Sequence, residues 1–331
     1  MNSPLKILNK CRVCSLSNFQ IILDLNHTPI EDQYLKVKKQ QDCYPLQVSM
    51  CLDCKYVFLK HVISPQASYD TYTYESSITV GLNNHYKLYA ETLVKKYKFN
   101  KKSFAVDIGS NDGSMLSSFK DLGLKILGVE PASNISELAN TKQLTTLNSF
   151  FSNDVALKIK KEFQSADIIT ANYMFANVDN FDDFLTGVKN LLKVDGVFVI
   201  ETGYHPIQFS LNMFDYIYHE HFSYFTIKTL NTLLERFDLS IVDAQIFSQK
   251  GGALRVVVKH KNSNNKCSNN LKRLILEENQ KNYNSIELFK SLQKRILNEK
   301  NKLINQLELI KKNNVPIVGF GASHSTTTLL Y

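Results

Sequence analysis

Three stretches of this chain carry residue types at spacings that could do chemistry. The first is Cys11-Arg12-Val13-Cys14, answered by Cys51-Leu52-Asp53-Cys54. Each C-x-x-C pair can grip one side of a metal ion, so in a reducing compartment the two pairs read as one tetrahedral Zn2+ site and not as disulfides. Cys11, Cys14, Cys51 and Cys54 would fill every coordination position. Such a site is structural, because a hydrolytic zinc keeps one position open. The second stretch is Phe104-Ala105-Val106-Asp107-Ile108-Gly109-Ser110-Asn111-Asp112-Gly113, an apolar run into an acid and a turn with glycines at 109 and 113. The third is Tyr218-His219-Glu220-His221, set in an aromatic run from Phe214 to Phe225.

The second stretch reads as strand, loop and helix. Gly109 and Gly113 would let the backbone turn and approach a ligand, and the helix start behind them offers free N–H groups. The next apolar run ends on Glu130, where a carboxylate can accept hydrogen bonds from ribose hydroxyls. An adenosine-type cofactor follows. The pattern D-x-G-x-x-x-G differs in spacing from the dinucleotide fingerprint, which points away from a nicotinamide and towards S-adenosylmethionine. The third stretch is a poor metal motif, because H-E-H lacks the i, i+4 histidine pair of a helical zinc site. It suits acid/base work: imidazole titrates near neutrality, a carboxylate can fix its tautomer, and phenols can hold a substrate oxygen.

Positioning these groups requires alternating strands and helices. Strands are expected at 103-108, 125-130, 144-150, 166-174 and 197-203, with helices at 133-141, 152-163 and 180-193 between them, the parallel doubly wound pattern. After a helix from Ile227 to Phe237, strands 239-247 and 253-260 joined through Gly251-Gly252 make an antiparallel pair. Five parallel strands closed by a hairpin are the layout of a class I methyltransferase, so the predicted fold class is α/β, a Rossmann-like sheet preceded by a small zinc-binding domain. The expected division is a zinc-binding domain at 1-70 with a meander between its knuckles, a methyltransferase domain at 71-260, and a helical segment at 261-331 that runs into the start of a second α/β unit.

Composition fits a multidomain globular protein, with 331 residues and 44% apolar content. No run of about 18 apolar residues is present to span a bilayer, and Met1 to Lys6 lacks the apolar stretch of a signal peptide, so a cytoplasmic protein with no membrane partner is expected. The formal charge is +8, and twelve Lys or Arg against five Glu between Lys261 and Lys312 account for most of it. Without interleaved aromatic residues this is a solvated helix face, so no nucleic-acid partner is expected. Cys43 and Cys267 receive no role, and no residue pattern bears on oligomeric state.

Taken together, the paired knuckles, Y-T-Y-E-S-S at Tyr72 to Ser77, the loop Val106 to Gly113, Val129-Glu130-Pro131, Glu201, the run Phe214 to Tyr224, Gly251-Gly252-Ala253-Leu254-Arg255 and Gly319-Phe320-Gly321-Ala322-Ser323 resemble the sugar C-methyltransferase family. The resemblance runs through nearly the whole chain in order. It implies methyl transfer from S-adenosylmethionine to carbon of a nucleotide-linked keto-deoxysugar, with a structural Zn2+ remote from the reaction. His221 is implied as general base, supported by Glu220 and Tyr218, with Tyr72 or Tyr218 donating to the oxyanion. Asp107, Gly109, Asn111, Gly113, Glu130, Asn172 and Tyr74 are implied on the cofactor, and His219, Asn177, Gly252 and Arg255 on the substrate.

This sequence departs from that family twice. Asn177 stands where the family carries a histidine, and an amide cannot shuttle a proton. The chain also stops at Tyr331, so the second Rossmann-like domain, with its first strand expected at Val315 to Gly319, would be incomplete. Three other readings remain: a zinc-module RNA methyltransferase, which needs a basic, aromatic-lined path; a nicotinamide oxidoreductase, which predicts a different loop spacing; and a catalytically impaired cofactor-binding protein.

Overall fold

The computed structural model describes residues 5–331 apart from Tyr34, Lys38, Asp70, Thr71, Asn264, Asn265, Phe320 and Ala322. Parts of two expected motifs, Asp70-Thr71 beside the tyrosine run and Phe320 and Ala322 of the late glycine turn, therefore lie outside the described residues.

The N-terminal module is built from β1 (Leu5–Ile7), β2 (Phe19–Thr28), β3 (Tyr44–Cys51), β4 (Val57–Leu59) and β5 (His61–Ile63), followed by the short α1 (Pro65–Tyr69). Strands β2, β3 and β4 form an antiparallel meander of which β2 and β3 lie between the knuckles, as expected, and β4 follows the second knuckle; β1 pairs with β5. Both metal knuckles are tight turns, with Ser15 and Lys55 at positive φ one residue beyond each second cysteine.

The helix α2 (Leu82–Tyr97) leads into the main unit: β6 (Phe104–Ile108), α3 (Ser114–Asp121), β7 (Lys125–Glu130), α4 (Ser133–Thr141), β8 (Thr146–Asn148), α5 (Asn153–Glu162), β9 (Ala166–Asn172), α6 (Phe181–Leu191), β10 (Leu192–Gly203) and α7 (His205–Ser210). The two-residue β11 (Ser223–Tyr224), α8 (Ile227–Glu235), β12 (Leu239–Phe247) and β13 (Ala253–His260) complete it. The sheet order is β12-β13-β10-β9-β6-β7-β8, parallel from β10 to β8 and antiparallel at β13 and β12, as the sequence predicts. All five residues of β6 are buried, which suits a central strand covered by helices on both faces. The crossover helices bury one stripe each: in α6 it is Phe181, Phe184, Leu185, Val188 and Leu191, at helical spacing. Side-chain caps fix where such helices start, Ser152 accepting from the Val155 N–H and Asn180 from the Asp183 N–H.

Two features differ from the expected layout. The short β11 does not join the main sheet; it pairs with β4 and becomes the fourth strand of the N-terminal meander. The modules at 1-70 and 71-260 consequently share one core, in which Cys11, Val13, Tyr56 and Phe58 pack with Phe175, Phe181, Phe222 and Phe225. The second difference lies past β13. Helices α9 (Asn269–Lys281) and α10 (Ile286–Lys312) form, and Phe289, Leu292 and Ile296 seat the first half of α10 on the meander. Val315 to Gly319 is not a strand: Val315, Ile317 and Val318 are exposed, and no strand among the described residues pairs with them. The last helix, α11 (His324–Leu330), returns to the main unit, where Thr328 Oγ1 donates to the Ile217 carbonyl at 2.6 Å.

Among the described residues, no helix is long and apolar enough to cross a membrane.

Candidate functional site

A cavity of about 640 Å³ opens at the carboxyl ends of the parallel strands, where open α/β sheets hold ligands. Gly109, Asn111, Glu130 and Asn172 line one part of it; Tyr218, Glu220, His221 and Asn177 line another.

The glycine loop is held in a form that only certain residues tolerate. Gly109 has φ +66°, and a Cβ there would sit 2.7 Å from Met174 Cγ. Asn111, at φ 51°, uses its side chain as a brace: Oδ1 accepts from the Ser76 N–H at 2.7 Å and Nδ2 donates to the Tyr74 carbonyl at 2.9 Å. Its own N–H donates to Glu130 Oε2 at 2.9 Å, while Glu130 Oε1 accepts from the Ala132 N–H at 3.0 Å. Burial raises the Glu130 carboxyl above its ordinary value. Each of its oxygens retains acceptor capacity for a ribose hydroxyl.

Two expected cofactor contacts lie beneath the cavity surface. Gly113, at φ +82°, caps α3, and its bare Cα faces Leu144. Asp107 is buried under the floor, with Oδ1 accepting from Thr170 Oγ1 at 2.6 Å and from Asn172 Nδ2 at 3.3 Å; burial pushes its carboxyl up to about 7. Asp107 therefore orients Asn172. The Asn172 Oδ1 is left buried with no hydrogen-bond partner. An orphaned acceptor beside a glycine loop and an acid at the tip of the second parallel strand is what an adenosyl cofactor with an amino-acid end would satisfy, so the residues present fit S-adenosylmethionine.

On the other side, His221 is 8% exposed, and its Nδ1 lies 3.1 Å from the Tyr216 carbonyl. A carbonyl can only accept, so Nδ1 carries the proton and Nε2 is the basic nitrogen. Tyr218 stacks on the imidazole with ring centroids 5.6 Å apart, and Tyr224 meets it edge-on at 4.8 Å. Tyr72 lies in the same wall, 5.1 Å from Tyr69. Burial, reinforced by the charge of Glu220, holds the hydroxyls of Tyr69, Tyr72 and Tyr218 well above the ordinary phenol value, so all three stay O–H donors. Asn177 Nδ2 donates to the Tyr69 hydroxyl at 3.5 Å, and that hydroxyl also bonds Glu220. Burial and the neighbouring Glu31 push Glu220 up to about 8.

Three residues expected on the substrate lie elsewhere. His219 is fully buried away from the cavity, with Nε2 3.0 Å from Thr28 Oγ1 and 3.2 Å from the Thr28 carbonyl; burial lowers it to about 4. His219 and Glu220 are the inner residues of a tight turn closed by the His221 N–H donating to the Tyr218 carbonyl at 3.1 Å, and the turn places His219 on Thr28 of the meander while Tyr218, Glu220 and His221 line the cavity. Arg255 is buried against Glu201, Nε to Oε2 at 2.5 Å, beside His85 Nε2 at 2.8 Å and under the Tyr89 ring at 3.5 Å. It is an internal ion pair of the sheet. Gly252, at φ +120°, packs on Ile207 and accepts the Tyr204 N–H, shaping the β12-β13 turn.

The structure also brings in residues without a sequence signal. Glu31, from the loop after β2, accepts the His219 N–H at 3.1 Å and the Glu220 N–H at 2.6 Å, so it fixes the backbone that presents His221. Arg12, inside the first knuckle, donates through Nη2 to Ser223 Oγ at 2.7 Å and through Nη1 to the Val178 and Asp179 carbonyls. The first knuckle is thus hydrogen-bonded to Val178 and Asp179, which line the cavity, and to Ser223, two residues past His221. Lys250 projects into the cavity from the β12-β13 turn. Isolated charges in loops carry no periodicity or spacing that could reveal such roles.

The four cysteine sulfurs lie within 4.8 Å of one another, with Cys11–Cys54 at 3.6 Å and Cys14–Cys51 at 3.5 Å. Zn–S bonds of about 2.3 Å in a tetrahedron put sulfurs about 3.8 Å apart, so the four fit Zn2+.

The strand order, the glycine loop and the acid at the tip of β7 define a class I S-adenosylmethionine-dependent methyltransferase fold. Family models for a zinc binding domain, a methyltransferase domain and a C-methyltransferase C-terminal domain match residues 11–69, 84–244 and 248–331. Together the three models span most of the chain, which carries an S-adenosylmethionine-dependent methyltransferase domain between a zinc-binding domain and a C-methyltransferase C-terminal domain. It is 29% identical over 259 residues to the C-methyltransferase NovU of Streptomyces niveus, a match over 77% of this chain and 62% of NovU, so this chain spans about three fifths of that relative's length. Among solved structures, an S-adenosylmethionine-dependent methyltransferase of Clostridium acetobutylicum superposes with TM-score 0.41 and 13% identity over 54% of this chain and 91% of that one. A second, from Archaeoglobus fulgidus, does so with TM-score 0.41 and 16% identity over 53% and 94%.

Proposed function

We propose that the chain methylates carbon in a nucleotide-linked keto-deoxysugar, with His221 as the general base. The observation that carries this reading is the His221 tautomer. With Nδ1–H engaged by the Tyr216 carbonyl, Nε2 is the basic nitrogen, and His221 lines the same cavity as the glycine loop. Nε2 would take a proton from the carbon next to the keto group, the C–H electron pair would form a C=C bond, and the carbonyl π pair would move onto the ketone oxygen to give an enolate.

A carbon acid of this kind is too weak for imidazole unless the oxyanion is stabilised. The hydroxyls of Tyr72 and Tyr218 and a Glu220 carboxyl that is mostly protonated at neutrality supply O–H donors. Asn177 and Tyr69 would hold Glu220 in place. The chemistry that bound S-adenosylmethionine supplies is an electrophilic methyl group on a sulfonium. Gly109, Asn111, Glu130 and Asn172 would bind and orient it, and Asp107 would set the Asn172 amide. Zn2+ would be held by Cys11, Cys14, Cys51 and Cys54 as a structural ion.

The test is transfer of a labelled methyl group to a panel of nucleotide-linked 4-keto-deoxysugars by this chain and by His221→Asn. Label on carbon only when His221 is present supports the reading; label on oxygen or nitrogen, or equal transfer by both proteins, overturns it.

A further inference from the structure

Lys250 enters the cavity from the β12-β13 turn with a backbone that an ordinary residue rarely adopts, φ 48° and ψ 39°. Its ammonium lies 4.5 Å from the centroid of the Tyr173 ring and 4.9 Å from that of Tyr74, and it donates to the Tyr74 hydroxyl at 3.2 Å. That hydroxyl lies 2.7 Å from Thr79 Oγ1. Among the described residues Lys250 makes no ion pair. Two aromatic faces and a phenol hold the cation but do not neutralise it.

Beside it stands Gln208, whose Nε2 donates to the Lys250 carbonyl at 3.2 Å. Gln208 is 1% exposed and lines the cavity, yet its Oε1 has no hydrogen-bond partner. Asn172, the residue before Tyr173, has an orphaned Oδ1 as well. One unneutralised cation and two unpaired amide acceptors on one cavity call for a ligand carrying both a negative and a positive group. An α-amino acid is such a ligand. The connections favour the cofactor side of the cavity: the Tyr74 carbonyl is braced by Asn111 of the glycine loop, and Tyr173 follows directly on Asn172.

We propose that Lys250, with the Tyr74 hydroxyl, forms a carboxylate subsite for the amino-acid end of the methyl donor, and that Gln208 Oε1 and Asn172 Oδ1 accept from its ammonium group. The proposal rests on the cofactor reading and names the contacts that would discriminate the intact donor from its nucleoside fragment. Arg at 250 would keep the charge; Met would keep the stem against the two rings; Gly would remove the side chain and also tolerate the left-handed backbone.

The experiment is calorimetric titration of S-adenosylhomocysteine, its decarboxylated analogue and 5′-methylthioadenosine into the intact chain and into Lys250→Met, Lys250→Arg and Lys250→Gly. The last two ligands lack the carboxylate. Lys250→Met and Lys250→Gly should weaken S-adenosylhomocysteine about 10- to 100-fold, the loss of one charge-assisted contact, and leave the other two ligands within about 2-fold. Lys250→Arg should retain most of the affinity. An equal loss for all three ligands, or an unchanged S-adenosylhomocysteine affinity, overturns the subsite. Unchanged S-adenosylhomocysteine binding with a raised KM for the nucleotide-linked sugar assigns the cation to a phosphate instead. If the unmutated chain binds none of the three ligands, the cofactor reading itself fails. If the Met variant does not fold, as judged by its melting curve, the Gly variant carries the comparison.

Discussion

Arg12 Nη2 and Ser223 Oγ are 2.7 Å apart, and that bond joins the first metal knuckle to the strand that begins two residues after His221. The other guanidinium nitrogen donates to the Val178 carbonyl at 2.6 Å and to the Asp179 carbonyl, just past Asn177. The guanidinium also lies 4.8 Å over the Phe181 ring. Replacing Arg12 by Met keeps the stem over that ring but leaves these acceptors unpaired. We predict a fall in kcat of about 10- to 100-fold with cofactor affinity nearly unchanged, since charged hydrogen bonds of this kind contribute about 1.5–3 kcal/mol. Steady-state kinetics alongside S-adenosylhomocysteine titration reads both quantities.

Metal removal acts through the same path. Cys54→Ser, or a strong chelator, should loosen the meander and with it β11, which pairs with β4. Limited proteolysis is expected to start within residues 11–69 and around 214–226, while the parallel sheet keeps its hydrogen-exchange protection. Protection lost uniformly over the whole chain would contradict this.

Three buried carboxyls set a pH dependence of stability. Asp107 and Glu31 are pushed up to about 7 and Glu220 to about 8, each chiefly by burial. The folded state therefore binds protons that the unfolded chain has released above about pH 4–5. Stability from these groups is fully present below that range and is lost as pH rises through 7 to 8. The urea midpoint should fall between pH 5 and 8.5, and Glu31→Gln should flatten the decline. A midpoint that rises over this window would refute the assignment.

Gly109→Ala places a methyl group into Met174 at a backbone angle of +66°. The left-handed conformation alone costs about 1–2 kcal/mol for a residue with a Cβ. Loss of S-adenosylhomocysteine binding by at least about 10-fold, with a melting temperature only a few degrees lower, is the expected outcome.

The parts legible in the sequence are those that repeat or cluster. Alternating apolar runs located β6, β7, β12 and β13 to within one residue, because a buried strand needs a continuous apolar stretch and a glycine turn marks its end. The four cysteines were legible from spacing alone. The short β11 was not, since two residues carry no period and their partner β4 lies far away in sequence. For the same reason Glu31, which accepts backbone N–H groups at 219 and 220 from about 190 residues away, and Arg12, which donates to the Ser223 hydroxyl from 211 residues away, left no local trace. Motif resemblance grouped His219 and Arg255 with the substrate, whereas burial gave one to Thr28 and the other to Glu201. The strand expected at Val315 to Gly319 read as apolar and β-branched, yet propensity without a pairing partner does not make a strand.

The central claim is that His221 Nε2 removes a proton from carbon. Its most direct test is exchange of the hydrogen next to the keto group of a nucleotide-linked 4-keto-deoxysugar for deuterium in D2O, followed by NMR with S-adenosylhomocysteine in place of the methyl donor. The account predicts exchange at one carbon by the unmutated chain and a loss of at least about 100-fold in His221→Asn. Equal exchange by both proteins, with the substrate bound to each, would contradict it.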